Sequence, residues 1–387
     1  MQFHLVEDYK KIHFSQGLLS LWSGKILLDF GLNVFGLFLP IILYQAYGNT
    51  DLLIVWFISH SLGYFLLAPL GGQLMNKIGI RKSLYIGVLF RIPYFLAFYH
   101  FASNPILFAV IASLSLIIIR STFWLPFLTD SAKFSSRKNR GKQFSVLFSI
   151  SSLLAIIAPV LAGFLMNKWG FTLVTIVSMI ISIASMVPFL FLPKTKETLA
   201  WTYGETFKYF FHPFNRRMVG AYMADGAVGI VNGVFWPLFL FFLLDGKYNA
   251  MGMITGAILL AGLVIRLIVG NFLDKFEKLK LVRIGTILNS SAWLIKTIVV
   301  SALHVFLASL YHTIAIIVLR TSLDTLVYEK AADRGHYIDE YTLIKEMSIH
   351  FGKILILVLI AGMLFFFPLQ VTFIIAAVFT LFVNLLK

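Results

Sequence analysis

Long apolar runs separated by short polar breaks fill the chain, falling at 25–47, 52–74, 83–102, 105–128, 143–166, 171–192, 218–244, 251–273, 282–303, 305–328, 343–366 and 368–386. A run of about 20 apolar residues, coiled as a helix, crosses the ~30 Å hydrocarbon layer of a bilayer. The pattern therefore predicts twelve transmembrane helices. The longest polar interval, 194–217, lies between the sixth and seventh runs. It divides the chain into a segment 1–24, a six-helix half over 25–193, a linker over 194–217 and a second six-helix half over 218–387. Within 1–24, Leu18, Leu19, Leu21 and Trp22 suggest an interfacial helix leading into the first span.

Composition supports the same class. The 387 residues are 59% hydrophobic and 13% charged, with a mean hydropathy of +0.88. A soluble domain is about 45–50% apolar and about 25% charged. The net charge of +15 is concentrated in alternate loops. Twenty Lys and Arg fall in the odd loops, counting the N-terminus as the first, against Lys168 and Lys247 in the even ones. That asymmetry predicts cytoplasmic termini in a multi-pass cell-membrane protein, and it gives the basic excess a topological role rather than a nucleic-acid one. Cysteine is absent, which removes disulfides, thiolate metal sites and Cys nucleophiles. There is no P-loop, H-E-x-x-H or G-x-S-x-G element. An enzyme is not expected, nor a cofactor or metal.

Two repeats run through the chain. Gly36-Leu-Phe-Leu-Pro40 matches Gly233-Val-Phe-Trp-Pro237, Gly72 to Asn76 matches Gly270 to Asp274, and Arg120 matches Arg320, all at a nearly constant offset. The second repeat is shorter. Gly72-Gln-Leu-Met-Asn-Lys-Ile-Gly79, ending the second helix, shares six of eight positions with Gly163-Phe-Leu-Met-Asn-Lys-Trp-Gly170, ending the fifth. These two helices end on opposite membrane faces, so the match implies inverted three-helix repeats inside each half, a transporter architecture.

On these motifs the chain resembles the major facilitator superfamily of secondary transporters along nearly its whole length. The family's signature G-x-L-a-D-r-x-G-r-k is present as Gly72, Leu74, Asn76, Lys77, Gly79 and Arg81, with Asn76 in place of the acid and Ile80 in place of a base. The second copy keeps the acid at Asp274, with Lys275, but has Glu277 for the second glycine. The resemblance implies that the conformational latch of the family rests on Asp274, with Asn76 a neutral and weaker substitute. Ala158-Pro159-Val-Leu-Ala162-Gly163 looks like the family's antiporter element G-P-x-x-G-G with two glycines lost; close helix packing is its alternative reading.

Charges inside spans mark candidate substrate or coupling sites, because each needs a partner or an aqueous cavity. These are Arg120, Arg320 with Asp324, the stripe Glu346, His350 and Lys353, and Asp29 and Asp225. Structural ion pairs are the alternative for Arg120 and for Arg320–Asp324, and a satisfied network for the stripe. For Asp29 a plain acid near a helix start is preferred. Arg266 and Lys296 stand isolated, with Lys296 expected to snorkel or to meet an acid. Gly36, Pro40, Gly233 and Pro237 predict bends in the first and seventh helices beside a substrate site.

The expected function is secondary transport of a small solute by alternating access, proton-coupled, by a monomer in the bilayer. The degraded antiporter element tips the choice toward efflux of a hydrophobic or amphipathic compound. Uptake of a sugar or an organic anion, and a transport-silent sensor or scaffold, stay open.

Overall fold

The computed structural model describes residues 14–135, 140–195, 199–273, 277–332 and 338–386, with backbone alone at 132, 140–142, 145, 269–273, 321–322, 324–332 and 338–339. Among these residues there are helices and no strands.

The first half consists of α1 (Gln16–Gly36), α2 (Leu39–Tyr47), α3 (Thr50–Ile78), α4 (Ile80–Leu89), α5 (Arg91–Tyr99), α6 (Pro105–Phe134), α7 (Arg140–Ala184) and α8 (Met186–Leu190). In the linker lies α9 (Tyr203–Phe210). The second half consists of α10 (Arg216–Ile230), α11 (Trp236–Leu243), α12 (Tyr248–Leu273), α13 (Lys278–Lys296), α14 (Ala302–Ala332), α15 (Ile338–Met363) and α16 (Val371–Leu381). Seven stretches are long and apolar enough on their own to cross a bilayer. One of them, Val146–Leu190, is two spans folded back at Gly170, where φ is 75° and ψ −175°. Joining the segments across their breaks gives the twelve spans that the hydropathy pattern predicts.

The inverted repeat is visible in the backbone. Gly79 ends α3 with φ 83° and ψ 161°, the conformation Gly170 adopts at the matching place. Only glycine takes this region readily, which explains why both copies of the short motif finish on it. In the second half Glu277 stands at the equivalent turn with φ −61°, so no glycine is needed there.

The first and seventh spans are both interrupted. The first span is interrupted at Leu37–Phe38, and α2 restarts with Pro40 in its first turn. The seventh passes through a π-turn, Val231–Phe235, containing Gly233, and α11 restarts with Pro237 in its first turn. Proline lacks an N–H and is tolerated at a helix start.

One boundary differs. α1 begins at Gln16, capped by Ser15 Oγ on the Leu18 N–H at 3.2 Å, and runs straight into the first span. Leu18, Leu21 and Trp22 are buried in the first half rather than lying on a membrane surface. Trp22 packs edge-on against Phe127 and Phe148. Apolar residues before a charged Lys25 read as interfacial only while that lysine is taken to mark the membrane edge. Lys25 is itself buried.

The halves meet along α7 and α12, where a Cβ at Gly163 would stand 2.7 Å from the Tyr248 carbonyl and one at Gly252 would strike the Pro159 carbonyl. The degraded antiporter element thus serves close packing between halves. On the face away from the chain ends the halves are closed. Tyr44 packs edge-on to Phe242, Phe38 to Tyr248, and Gln45 Nε2 donates to the Tyr248 hydroxyl at 3.1 Å.

Candidate functional site: a charged cluster between the halves

Midway along α6, Arg120 points its Nη1 to within 3.3 Å of His350 Nε2 on α15. The His350 ring lies 4.4 Å from the ring of Tyr64 on α3, and His60, one turn earlier on α3, is buried with its Nδ1 2.9 Å from the Trp56 carbonyl oxygen. A carbonyl only accepts, so Nδ1 carries a proton, and in the neutral ring the other nitrogen is an acceptor. Glu346 and Tyr94 lie within electrostatic reach of Arg120, and Glu346 and Asp225 within reach of Lys353. The stripe of α15 thus faces the first half. Spacing at i, i+4 and i+7 on a helix requires a common face, and Gly352, whose Cβ would strike the Met223 carbonyl, lets α15 approach α10 closely.

Arg320 has an acid partner beyond its own helix. Its guanidinium grips Asp225 on α10 in a two-point pair, Nη1 to Oδ2 at 3.0 Å and Nη2 to Oδ1. Such planar pairing fixes orientation as well as charge. Asp324 falls within α14, but its side chain lies outside the described residues. Among the described residues, Arg120 meets His350 rather than a carboxylate in its hydrogen bond, and its Nε is buried without a hydrogen-bond partner.

Asp29 stays apart from this cluster. Because α1 begins at Gln16, Asp29 sits about 20 Å along the helix at 1.5 Å per residue, not at its start. It pairs with Lys25 one turn before it, and Lys25 lies 4.9 Å over the Trp124 ring. Arg91 on α5 feels Asp29 and Arg120, is buried, and lies 5.7 Å from the Phe123 ring. Sequence reasoning passed over Arg91, His60 and Tyr64. The rule that singled out Arg120, a charge deep in a span, applies equally to Arg91. Nothing in the sequence paired His60 and Tyr64 with α15.

Asn33 and Asn232 are exposed beside the two helix breaks, and Gly36 and Gly233 each face open space, with no atom within 4 Å of where a Cβ would stand.

The signature loop departs from expectation at Asn76. Its Nδ2 donates to the Leu199 carbonyl at 2.8 Å, and its Oδ1 accepts from the Leu199 N–H at 2.8 Å. The next linker residue, Ala200, donates its N–H to Glu340 Oε1 on α15 at 2.7 Å. The linker is clasped from both halves, and Asn76 is no weak stand-in for an acid: a carboxylate lacks the donor that the Leu199 carbonyl needs. Gly72 leaves room for the Leu199 side chain, Lys77 is exposed, and Arg81 donates to the carbonyls of Leu190 at 2.7 Å and Leu192 at 3.2 Å. Asp274 and Lys275 lie outside the described residues, as does all but the backbone of Gly270. The linker's own α9 opens with a capping box, in which hydrogen bonds with Thr202 hold the Glu205 carboxyl below its usual range.

Lys296 neither snorkels nor, among the described residues, meets an acid. It is 1% exposed, with Nζ 4.1 Å over the Trp236 ring, 4.2 Å over Trp293, and 2.9 Å from His312 Nδ1. Each desolvated cation–π contact is worth about 2 kcal/mol and a hydrogen bond from a charged donor about 1.5–3 kcal/mol. Burying the ion costs several kcal/mol. The opposing terms close to within a few kcal/mol.

Two pseudo-symmetric six-helix halves, kinked at matching places around a charged centre, define a transporter fold of the membrane. A family model described as the Major Facilitator Superfamily matches residues 21–342, and the chain belongs to that family. Among solved structures, a point mutant of the peptide transporter POT in complex with alafosfalin superposes with a TM-score of 0.69, at 12% identity, over 96% of this chain and 93% of that one. At this identity the likeness is one of fold. No curated protein matches the sequence.

Proposed function

We propose that the chain is a proton-coupled secondary transporter whose solute is small and carries an anionic group, a carboxylate above all. The observation that carries this reading is Arg120, whose guanidinium, among the described residues, meets His350 rather than a carboxylate and keeps its Nε buried without a hydrogen-bond partner. A guanidinium suits the two oxygens of a carboxylate. His60, His350 and Glu346 supply protonatable groups in the same cluster, which favours a proton as the coupling ion. The fold neighbour is a peptide transporter with a ligand bound, which accords with a charged solute. Efflux of a hydrophobic compound fits this centre less well, because an apolar solute would displace partners from charged groups without replacing them. The distribution of basic loop residues supports cytoplasmic termini in a cell membrane.

Proteoliposomes offer the test. Solutes bearing a carboxylate, including amino acids and dipeptides, are expected to accumulate under a proton gradient, and Arg120→Gln is expected to abolish accumulation. Flux of neutral sugars or lipophilic cations in their place, flux indifferent to a protonophore, or full activity in Arg120→Gln would overturn the reading. No flux of any solute would favour the transport-silent alternative.

A further inference from the structure

A second polar constellation lies wholly inside the second half. Thr286, Asn289, Trp293 and Lys296 form one buried stripe of α13, at i, i+3, i+7 and i+10. Ser309 and His312 face them from α14, and both are buried. The helix-facing side of a peripheral span is normally apolar, and six such residues in one seam call for a role beyond packing. Among the described residues, Thr286 Oγ1, Asn289 Oδ1, Trp293 Nε1, Ser309 Oγ and His312 Nε2 are buried without a hydrogen-bond partner. Native interiors seldom leave so many polar atoms unsatisfied in one place.

Lys296 is the charged end of this seam. It occupies the last turn of α13, where the helix dipole favours a cation. With Lys296 charged, its ammonium donates and His312 Nδ1 accepts, so a neutral imidazole carries its proton on Nε2. The groups around Nζ come from four elements: Trp293 from α13 itself, His312 from α14 and Trp236 from α11, with Phe373 of α16 packed behind both indoles. His312 is the titratable neighbour; among the described residues no other charge on these elements acts on Lys296. Tyr311, on the same helix, is engaged elsewhere with Ser291 Oγ at 2.9 Å.

We propose that Lys296, with His312, is a proton-binding site built without a carboxylate, and that its charge state sets the position of Trp236 and so the break between α10 and α11. The ammonium is held by two indole faces and an imidazole lone pair against the cost of burial, so loss of any of these contacts when the helices shift favours release of the proton. When Lys296 gives up its proton, the electrostatic hold of the cation on the indole faces ends. Trp236 is the first residue of α11, directly after the π-turn at Val231–Phe235. Release of its ring therefore acts on the one bend of the second half that has a counterpart in the first. This site goes beyond the transport reading, which rests on the cluster around Arg120.

The test is the intrinsic tryptophan fluorescence of the full-length protein in nanodiscs, titrated from about pH 5 to about pH 10 to bracket the ordinary His and Lys values. The wild type is expected to show a transition beyond those of other titrating groups beside indoles, such as His60 against Trp56. Lys296→Met should remove that component and leave it at its alkaline level. Lys296→Arg, charged throughout, should hold it at its acid level, and His312→Gln, which keeps an acceptor, should shift its midpoint. A wild-type trace that coincides in shape with that of Lys296→Met would overturn the proposal. If Lys296→Met fails to fold, a wild-type trace that coincides in shape with that of Lys296→Arg does the same. For the link to the bend, hydrogen exchange across 231–235, corrected for the intrinsic pH effect, should differ several-fold between the two ends in the wild type and not in Lys296→Arg; equal change in both refutes it. Neither measurement needs a solute or a gradient, so its failure is distinct from failure of the transport reading.

Discussion

Restoring the family's acid at Asn76 should weaken the protein's latch rather than improve it. Asn76 makes two 2.8 Å hydrogen bonds to one linker residue, donating to the Leu199 carbonyl and accepting from its N–H. Asn76→Asp keeps the acceptor and replaces the donor with an oxygen facing the carbonyl oxygen. The lost bond is worth about 1 kcal/mol, and an orphaned carbonyl adds about 1–3 kcal/mol when water is excluded. Asn76 is exposed, so the lower end applies, and a net loss of about 1–2 kcal/mol corresponds to roughly a 5–30-fold shift in the clasp equilibrium. Asn76→Ala removes both bonds but leaves the two backbone groups open to water, and a loss of similar size follows. Opening of the strap is readable by limited trypsin digestion at Lys194 and Lys196, since cleavage tracks the population of the open form when reclosing is fast. Cleavage should rise by that factor in both variants and also in Glu340→Ala, which releases Ala200 from the second half. Slower cleavage in Asn76→Asp than in wild type would refute the reasoning, because it would mean that a charge holds the linker better than a matched amide.

Three further outcomes follow from the geometry. Gly79→Ala and Gly170→Ala each force a side chain into φ 83° or 75° with extended ψ, at about 1–3 kcal/mol, and should lower Tm, whereas Gly36→Ala, with no atom within 4 Å, should not. Gly252→Ala should loosen the contact of α7 with α12, seen as a lower Tm, because its Cβ meets the Pro159 carbonyl; an unchanged Tm would contradict that packing. Arg320→Met should cost about 1–3 kcal/mol by stranding Asp225, whose side chain is 14% exposed, and the double variant with Asp225→Asn should recover most of it in a thermal-shift assay.

The hydropathy pattern by itself determined the twelve spans, because each follows from local chemistry. A helix must satisfy its own backbone in lipid, proline lacks a donor, and only glycine readily takes φ 83° with ψ 161°. The short repeat ending in Gly79 and Gly170 carried its inverted relation in the sequence for the same reason. What sequence left open were partners. Arg320 had an acid one turn away in Asp324 and another 95 residues distant in Asp225, and only the tertiary fold brought the distant one within reach of the guanidinium. His60 and Tyr64 joined Arg120 because α15 crosses α3 and α6 between the halves. Lys296 met two indoles and an imidazole instead of a carboxylate, and Asn76 met a linker backbone instead of a helix start. Helical periodicity fixes which face a residue occupies. Which helix covers that face is set by the packing of the whole bundle, and that only the tertiary structure decided.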